Sequence, residues 1–336
     1  FLTHPQTELK AIVDRHPERL AYCREKFALD DNRVTLATDW SEIRQRQDIQ
    51  AIVVATPAST HYSLIKDALE RGYHVLAEKP LTLNPTECIE LTKLAEAKQL
   101  ELLVDHTYLF NPAVQKGREV IATNKLGQLR YGYATRTHLS PVRQDVDALW
   151  DLAIHDLAIF NYWLQETPIK VQARGNVWLQ PNKQMSISTR SGLADLVWLT
   201  LFYPSGFQAT IHLCWLNPDK QRRLCVVGSQ GSLIFDEMSA DAPLTLQQGH
   251  MMRKGENFIP VGQFRQIIPL ETAEPLFQVG DRFIQNILTK NKSSISSGWV
   301  AAELVKILTG LTQSLAQQGE IIFLESEREG VTAFRG

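Results

Sequence analysis

The sequence is short of cysteine, of excess charge and of long apolar runs, and each shortage closes off a class of protein. Its 336 residues hold four cysteines, Cys23, Cys88, Cys214 and Cys225, with no C-x-x-C pair. That spacing builds no zinc site, so no metal is expected, and reduced thiols suit a cytoplasmic protein. The formal net charge is −2, without the basic surplus from which nucleic acids and anionic membranes draw affinity. Neither is expected as a partner. No run reaches the roughly 18 apolar residues of a membrane span. What is present is an ordinary globular composition, 44% hydrophobic and 21% charged, in a chain long enough for two cores.

Two rhythms follow one another. Apolar runs at 9–13, 50–55, 73–77 and 101–104 alternate with helical patterns at 17–28, 62–71 and 85–98. Pro17 opens the first helix and Gly72 stops the second. Strands alternating with helices of this length predict an α/β fold, a parallel, doubly wound Rossmann sheet, over residues 1–122. From about residue 127 the runs become strand-like, at 129–137, 169–179, 183–190, 194–203, 206–216, 221–228 and 231–236. Helices are expected at 147–164, 275–291 and 297–317, and a last strand at 321–324; segment 240–275 reads as irregular. This predicts a second, α+β domain over 123–336 with a large, mostly antiparallel sheet. Such a sheet needs covering on its open face, so a homodimer or homotetramer is expected.

Asp14 ends a strand at the position where doubly wound sheets use an acid to hold the adenosine ribose of a dinucleotide. A carboxylate there favours NAD, because it repels the 2′-phosphate of NADP. Arg15 follows and would tolerate that phosphate, so NADP stays open, and a plain turn is the other reading of Asp14. The glycine-rich loop G-x-G-x-x-G occurs nowhere in the chain. It is expected roughly 10 to 15 residues ahead of Phe1, on a segment missing from this sequence.

The chemistry concentrates in two places. Lys79 closes a strand and is followed by Pro80, at the carboxyl end of the sheet, where such folds place ligands. Asp151 and His155 stand four apart in a helical pattern and would share a face. The flanking Leu152, Ala153, Ile154 and Leu157 make that helix buried, and buried polar groups need partners. A lysine cation, an imidazole and an orienting carboxylate are what removing a hydride from an alcohol requires. His106 and Tyr108 follow another strand end. Asn111 precedes Pro112 and reads as a substrate contact or a helix cap. Arg136 and Arg143 flank the Asp/His helix and suit bidentate binding of phosphate or carboxylate.

The stretches 55–61 (ATPASTH), 77–80 (AEKP) and 150–156 (WDLAIHD), in this order and spacing, resemble the glucose–fructose oxidoreductase/inositol dehydrogenase (Gfo/Idh/MocA) family. The resemblance implies an NAD(P)-dependent dehydrogenase in which Lys79 contacts the nicotinamide ribose and the reacting hydroxyl. Asp151 and His155 take the places of the family's acid and histidine. Glu78, Thr56, Pro57, His61 and His106 would line the dinucleotide, with Asp14 and Arg15 at its ribose. Ala153 stands where most members have Gly. Stretches 104–112, 143–151 and 214–220 are similar to the branch that oxidises the 3-hydroxyl of UDP-N-acetylglucosamine or its uronic acid. Tyr108, Asn111, Arg136 and Arg143 would then meet the sugar or nucleotide-sugar substrate. A dehydrogenase of a free sugar or inositol, and a non-catalytic binding protein on the same fold, are the alternatives.

Overall fold

The computed structural model describes the whole chain except residues 31, 186, 189, 190, 292–294 and 326–336. Its first half alternates as expected: β1 (Ala11–Val13), α1 (Pro17–Lys26), β2 (Thr35–Ala37), β3 (Ala51–Val54), α2 (His61–Glu70), β4 (His74–Glu78), α3 (Pro85–Ala97) and β5 (Leu102–Asp105). Pro17 and Pro85 occupy first-turn positions, where a missing N–H costs nothing. Gly72, at φ +90°, turns the chain after α2 in a conformation few other residues adopt. All strand pairs here are parallel, but they form two ladders, β1–β2 and β3–β4–β5, that share no hydrogen bonds with one another. The three-residue strand β2 is too short to show periodicity in the sequence. Below these ladders α4 (Pro112–Ala122) leads to the second domain.

The second domain is built on one nine-stranded sheet. In chain order its elements are β6 (Leu129–Leu139), α5 (Ile154–Leu164), β7 (Lys170–Asn176), β8 (Leu196–Phe202), β9 (Gln208–Cys214), β10 (Leu216–Gly228), β11 (Gly231–Asp236), β12 (Leu244–Lys254) and β13 (Asn257–Ile267). Then follow α6 (Pro275–Thr289), α7 (Gly298–Ala316) and β14 (Ile322–Phe323). The strand order is β13-β12-β11-β10-β6-β9-β8-β7-β14, antiparallel except for β6 beside β9. Two expectations need correction. Segment 240–275 is not irregular: it carries the β12–β13 hairpin, whose outer residues are exposed on both faces and so show no alternation. The strand expected at 183–190 falls partly on residues outside those described; the described rest of that stretch forms no strand, and a single bridge, Gln180 with Leu193, flanks it.

One face of the sheet is packed and the other is open. Val197, Leu199 and Leu201 of β8 and Ala209, Ile211 and Leu213 of β9 are buried, while their alternates Trp198 and Gln208 are exposed. The buried face lies against α5, whose Ile154 and residues Leu157 to Trp163 are all inside. Trp163 is held by Val114: its indole N–H donates to that carbonyl at 2.8 Å. Gly117 makes room for the ring, since a Cβ there would sit 2.3 Å from it. Among the described residues, no helix is long and apolar enough to cross a membrane.

Because the indole is enclosed between α4 and α5, Trp163→Ala should lower the unfolding free energy by about 3–5 kcal/mol, read from urea denaturation. A loss below about 1 kcal/mol would show that the site collapses around the deletion.

Candidate active site

The strand ends of the first domain and the inner face of the second meet around Lys79. Strand β4 delivers Glu78 and then Lys79, whose peptide to Pro80 is cis. Lys79 Nζ donates to the Asp151 carbonyl at 3.0 Å and lies 3.8 Å from Asp151 Oδ1. The same carboxylate accepts from Trp215 Nε1 at 3.2 Å and Arg143 Nη1 at 3.4 Å. Burial lowers the Lys79 ammonium below its ordinary 10.5, with Asp151 opposing and Arg143 assisting.

Asp151 and His155 do not pair as the spacing predicts. Residues Leu149–Ala153 form a π-helical turn before α5 begins. The Asp151 carboxylate is taken instead by Lys79, Arg143 and Trp215. Among the described residues nothing hydrogen-bonds the His155 imidazole; its ring packs on Tyr108, centroids 4.8 Å apart. Burial, then the nearby charges of Lys79 and Arg136, hold its pKa well below 6.5. The imidazole is neutral at neutral pH and free to accept a proton.

The other expected residues divide into those facing the site and those spent on structure. His106 follows β5. Its Nδ1 lies 2.8 Å from Ser296 Oγ, which donates to the Val104 carbonyl at 2.6 Å, so Nδ1 carries the hydrogen. Nε2 is then a bare acceptor, buried and without a partner among the described residues. Burial, reinforced by Lys79, brings the His106 pKa to about 3. An unmatched acceptor beside Lys79 fits a ligand that brings its own N–H or O–H. Thr56 and Pro57 are exposed at the end of β3. Asp14, after β1, accepts from the His16 N–H at 2.9 Å, and its neighbour Arg15 is exposed. Glu78 and Asp105 border a cavity of about 400 Å³ with Val53, Leu76 and Phe277.

Four readings are corrected, those of His61, Asn111, Arg136 and Arg143. His61 does not face a ligand: Nε2 lies 2.8 Å from the Thr56 carbonyl and Nδ1 3.0 Å from that of Pro80, tying two strand-end turns together. Asn111 caps α4, accepting from the Ala113 N–H at 2.8 Å. Arg136 is buried and its fork is used by Asp156, Nε to Oδ2 at 2.9 Å and Nη2 to Oδ1 at 3.0 Å. Arg143 likewise grips Asp145, at 2.9 Å from Nε, besides reaching Asp151. Tyr108 gives its hydroxyl to Glu237, a residue with no signal in the sequence. Arg222 also belongs to the site: it spans Tyr108 and Glu237, while its Nε is buried without a partner among the described residues.

Comparison with known proteins places the chain in one family of oxidoreductases. Residues 1–106 match the model of the Gfo/Idh/MocA oxidoreductase family, NAD-binding Rossmann fold, and residues 114–234 match that family's C-terminal domain. An uncharacterized oxidoreductase of Synechocystis sp. is 35% identical over 127 residues, 38% of this chain and 33% of that protein. The UDP-N-acetylglucosamine 3-dehydrogenase of Acidithiobacillus ferrooxidans is 33% identical over 129 residues, 38% of this chain and 40% of the enzyme. The matched stretches thus span well under half of those two relatives. A Magnetospirillum magnetotacticum oxidoreductase of known structure superposes with a TM-score of 0.73 at 26% identity, covering 92% of this chain and 93% of its own.

The burial of His155 gives a direct expectation. Followed by NMR from neutral pH downward, its imidazole should show no protonation until well below 6.5. A midpoint at or above 6.5 would mean that the ring is solvated.

Proposed function

The chain belongs to the Gfo/Idh/MocA family of oxidoreductases, and we propose that it oxidises a secondary hydroxyl of a sugar with NAD as the hydride acceptor. The observation that carries this reading is the Lys79 ammonium seated against Asp151, with its charge bearing on a neutral His155. A base must be unprotonated to take the hydroxyl proton, and a cation must stand by to stabilise the alkoxide that results. Bound NAD supplies the carbon that accepts the hydride. Asp14, Thr56, Pro57, Glu78, Lys79 and the bare acceptor of His106 are the residues that would hold it.

Each side chain then has a task. His155 takes the proton from the substrate hydroxyl. Lys79 steadies the oxygen through charge. Asp151 holds Lys79, and Arg143 with Trp215 holds Asp151. The carboxylate therefore serves the lysine in this site, not the imidazole.

Within that activity the substrate we favour is a UDP-N-acetylhexosamine, or its uronic acid, oxidised at the 3-position. The Acidithiobacillus relative supports it. So does the Arg222 Nε, buried without a protein partner among the described residues, a donor that a phosphate or carboxylate oxygen of the substrate would satisfy. The open sheet face, with Tyr131 at 50% and Trp198 at 54% exposure, supports assembly into a homodimer or homotetramer.

NADH formation, followed by absorbance over a panel of UDP-sugars, free hexoses and myo-inositol, tests the reading. NADH with UDP-N-acetyl sugars alone is the expected result. NADH with a free polyol alone would replace the substrate, and no NAD binding by calorimetry would remove the enzyme. His155→Asn should reduce kcat by about 100- to 10,000-fold. Sedimentation velocity should give a dimer or tetramer that Trp198→Asp weakens; a wild-type monomer would refute the assembly.

A further inference from the structure

Among the described residues, the base of the proposed reaction has no hydrogen-bonding orienter. Asp151 is committed to Lys79, Arg143 and Trp215, and His155 touches aromatic carbon instead, the ring of Tyr108. The direction of the imidazole therefore depends on where that phenol ring is held.

The ring is held from the opposite domain. Tyr108 sits in a short 3₁₀ turn, Thr107–Phe110, that leaves β5. Its hydroxyl has one hydrogen to give and two lone pairs to offer, and all three are used. The hydrogen goes to Glu237 Oε2. Arg136 Nη1 donates to the oxygen at 2.8 Å and Arg222 Nη1 at 3.4 Å. A saturated hydroxyl has nothing left for a substrate, which replaces the expectation that Tyr108 binds one. Glu237 is itself fixed twice: its side chain accepts from Arg222 at 3.0 Å, and its backbone N–H donates to the Arg222 carbonyl at 3.0 Å. Two of these anchors come from β10 and the residue after β11, on the second domain's sheet.

From this geometry we infer that Tyr108 is a positioning residue for His155, and that the Glu237–Arg222 pair locks the tyrosine in place. The role rests on reading His155 as the proton acceptor. Glu237 then acts at two removes from the chemistry, through a phenol and through a ring contact. Arg136 cannot be used to probe the arrangement, because it also neutralises the buried Asp156.

Tyr108→Phe and Glu237→Gln are the informative changes: both nearly keep volume, the first removing the anchored hydroxyl and the second the carboxylate that takes its hydrogen and pairs with Arg222. Each should lower kcat about ten- to a hundredfold with little change in the KM for sugar, the scale of a small misplacement of a reacting group. The double variant should be no slower than Tyr108→Phe alone, because both act through one hydroxyl. The His155 imidazole resonance, assigned with His155→Asn, should shift in both variants and titrate at an altered midpoint. Additive losses, or an unmoved His155 resonance in folded Tyr108→Phe, would overturn the proposal. If the wild-type protein oxidises no sugar, the functional reading fails, while the NMR comparison still decides whether Tyr108 positions His155. If Glu237→Gln does not fold, Arg222→Lys replaces it in the same comparison.

Discussion

The relation between the second domain's sheet and its central helix depends on one buried ion pair. Arg136 projects from the middle of β6 and Asp156 from the first turn of α5, and each side chain is 3% exposed. Their two parallel hydrogen bonds fix direction as well as distance. Removing one partner would strand a charge in the interior, a loss of about 3–5 kcal/mol. The neighbour of Asp156 is His155, so the pair that joins helix to sheet also sets where the imidazole lies. It has a cost to offset: Arg136 stands directly opposite Arg222 on β10, and like charges across a ladder repel. Asp156 answers one guanidinium and Glu237 the other, which brings two carboxylates to the edge of the site.

The charge pattern near Lys79 follows the same logic. Lys79 is buried next to further cations, a setting that disfavours its own charge. Asp151 restores the balance: its carboxylate lies 3.8 Å from the Lys79 ammonium and also accepts from Arg143 and Trp215.

Much of this was legible in the sequence because burial leaves periodic traces. Continuous apolar runs marked β3, β4 and β5, and strand-like runs marked β8 and β9, where the structure puts Leu199 and Leu201 inside and Trp198 outside. The β12–β13 hairpin left no trace because most of it buries neither face. Lys79, Asp151 and His155 could be found from strand ends and helix spacing. Residue type, however, reports only that a polar group needs a partner. His61, Asn111 and Arg136 each suggested a ligand and each found a protein group instead. Glu237 lies 129 positions from Tyr108, and no local pattern connects the two. The π-helical turn at 149–153 was equally invisible, since its residues are those of an ordinary helix.

Strand β6 carries two messages in alternate letters. Ala134 and Arg136 point toward α5 and the site, while Tyr131, Tyr133 and Thr135 point to the open face. Only the thickness of one strand separates them. A residue inserted ahead of Ala134 would shift the strand beyond it by one place, sending the guanidinium to the outside and Thr135 against Asp156. The outer surface can therefore drift residue by residue without reaching the chemistry, but the length of this strand cannot.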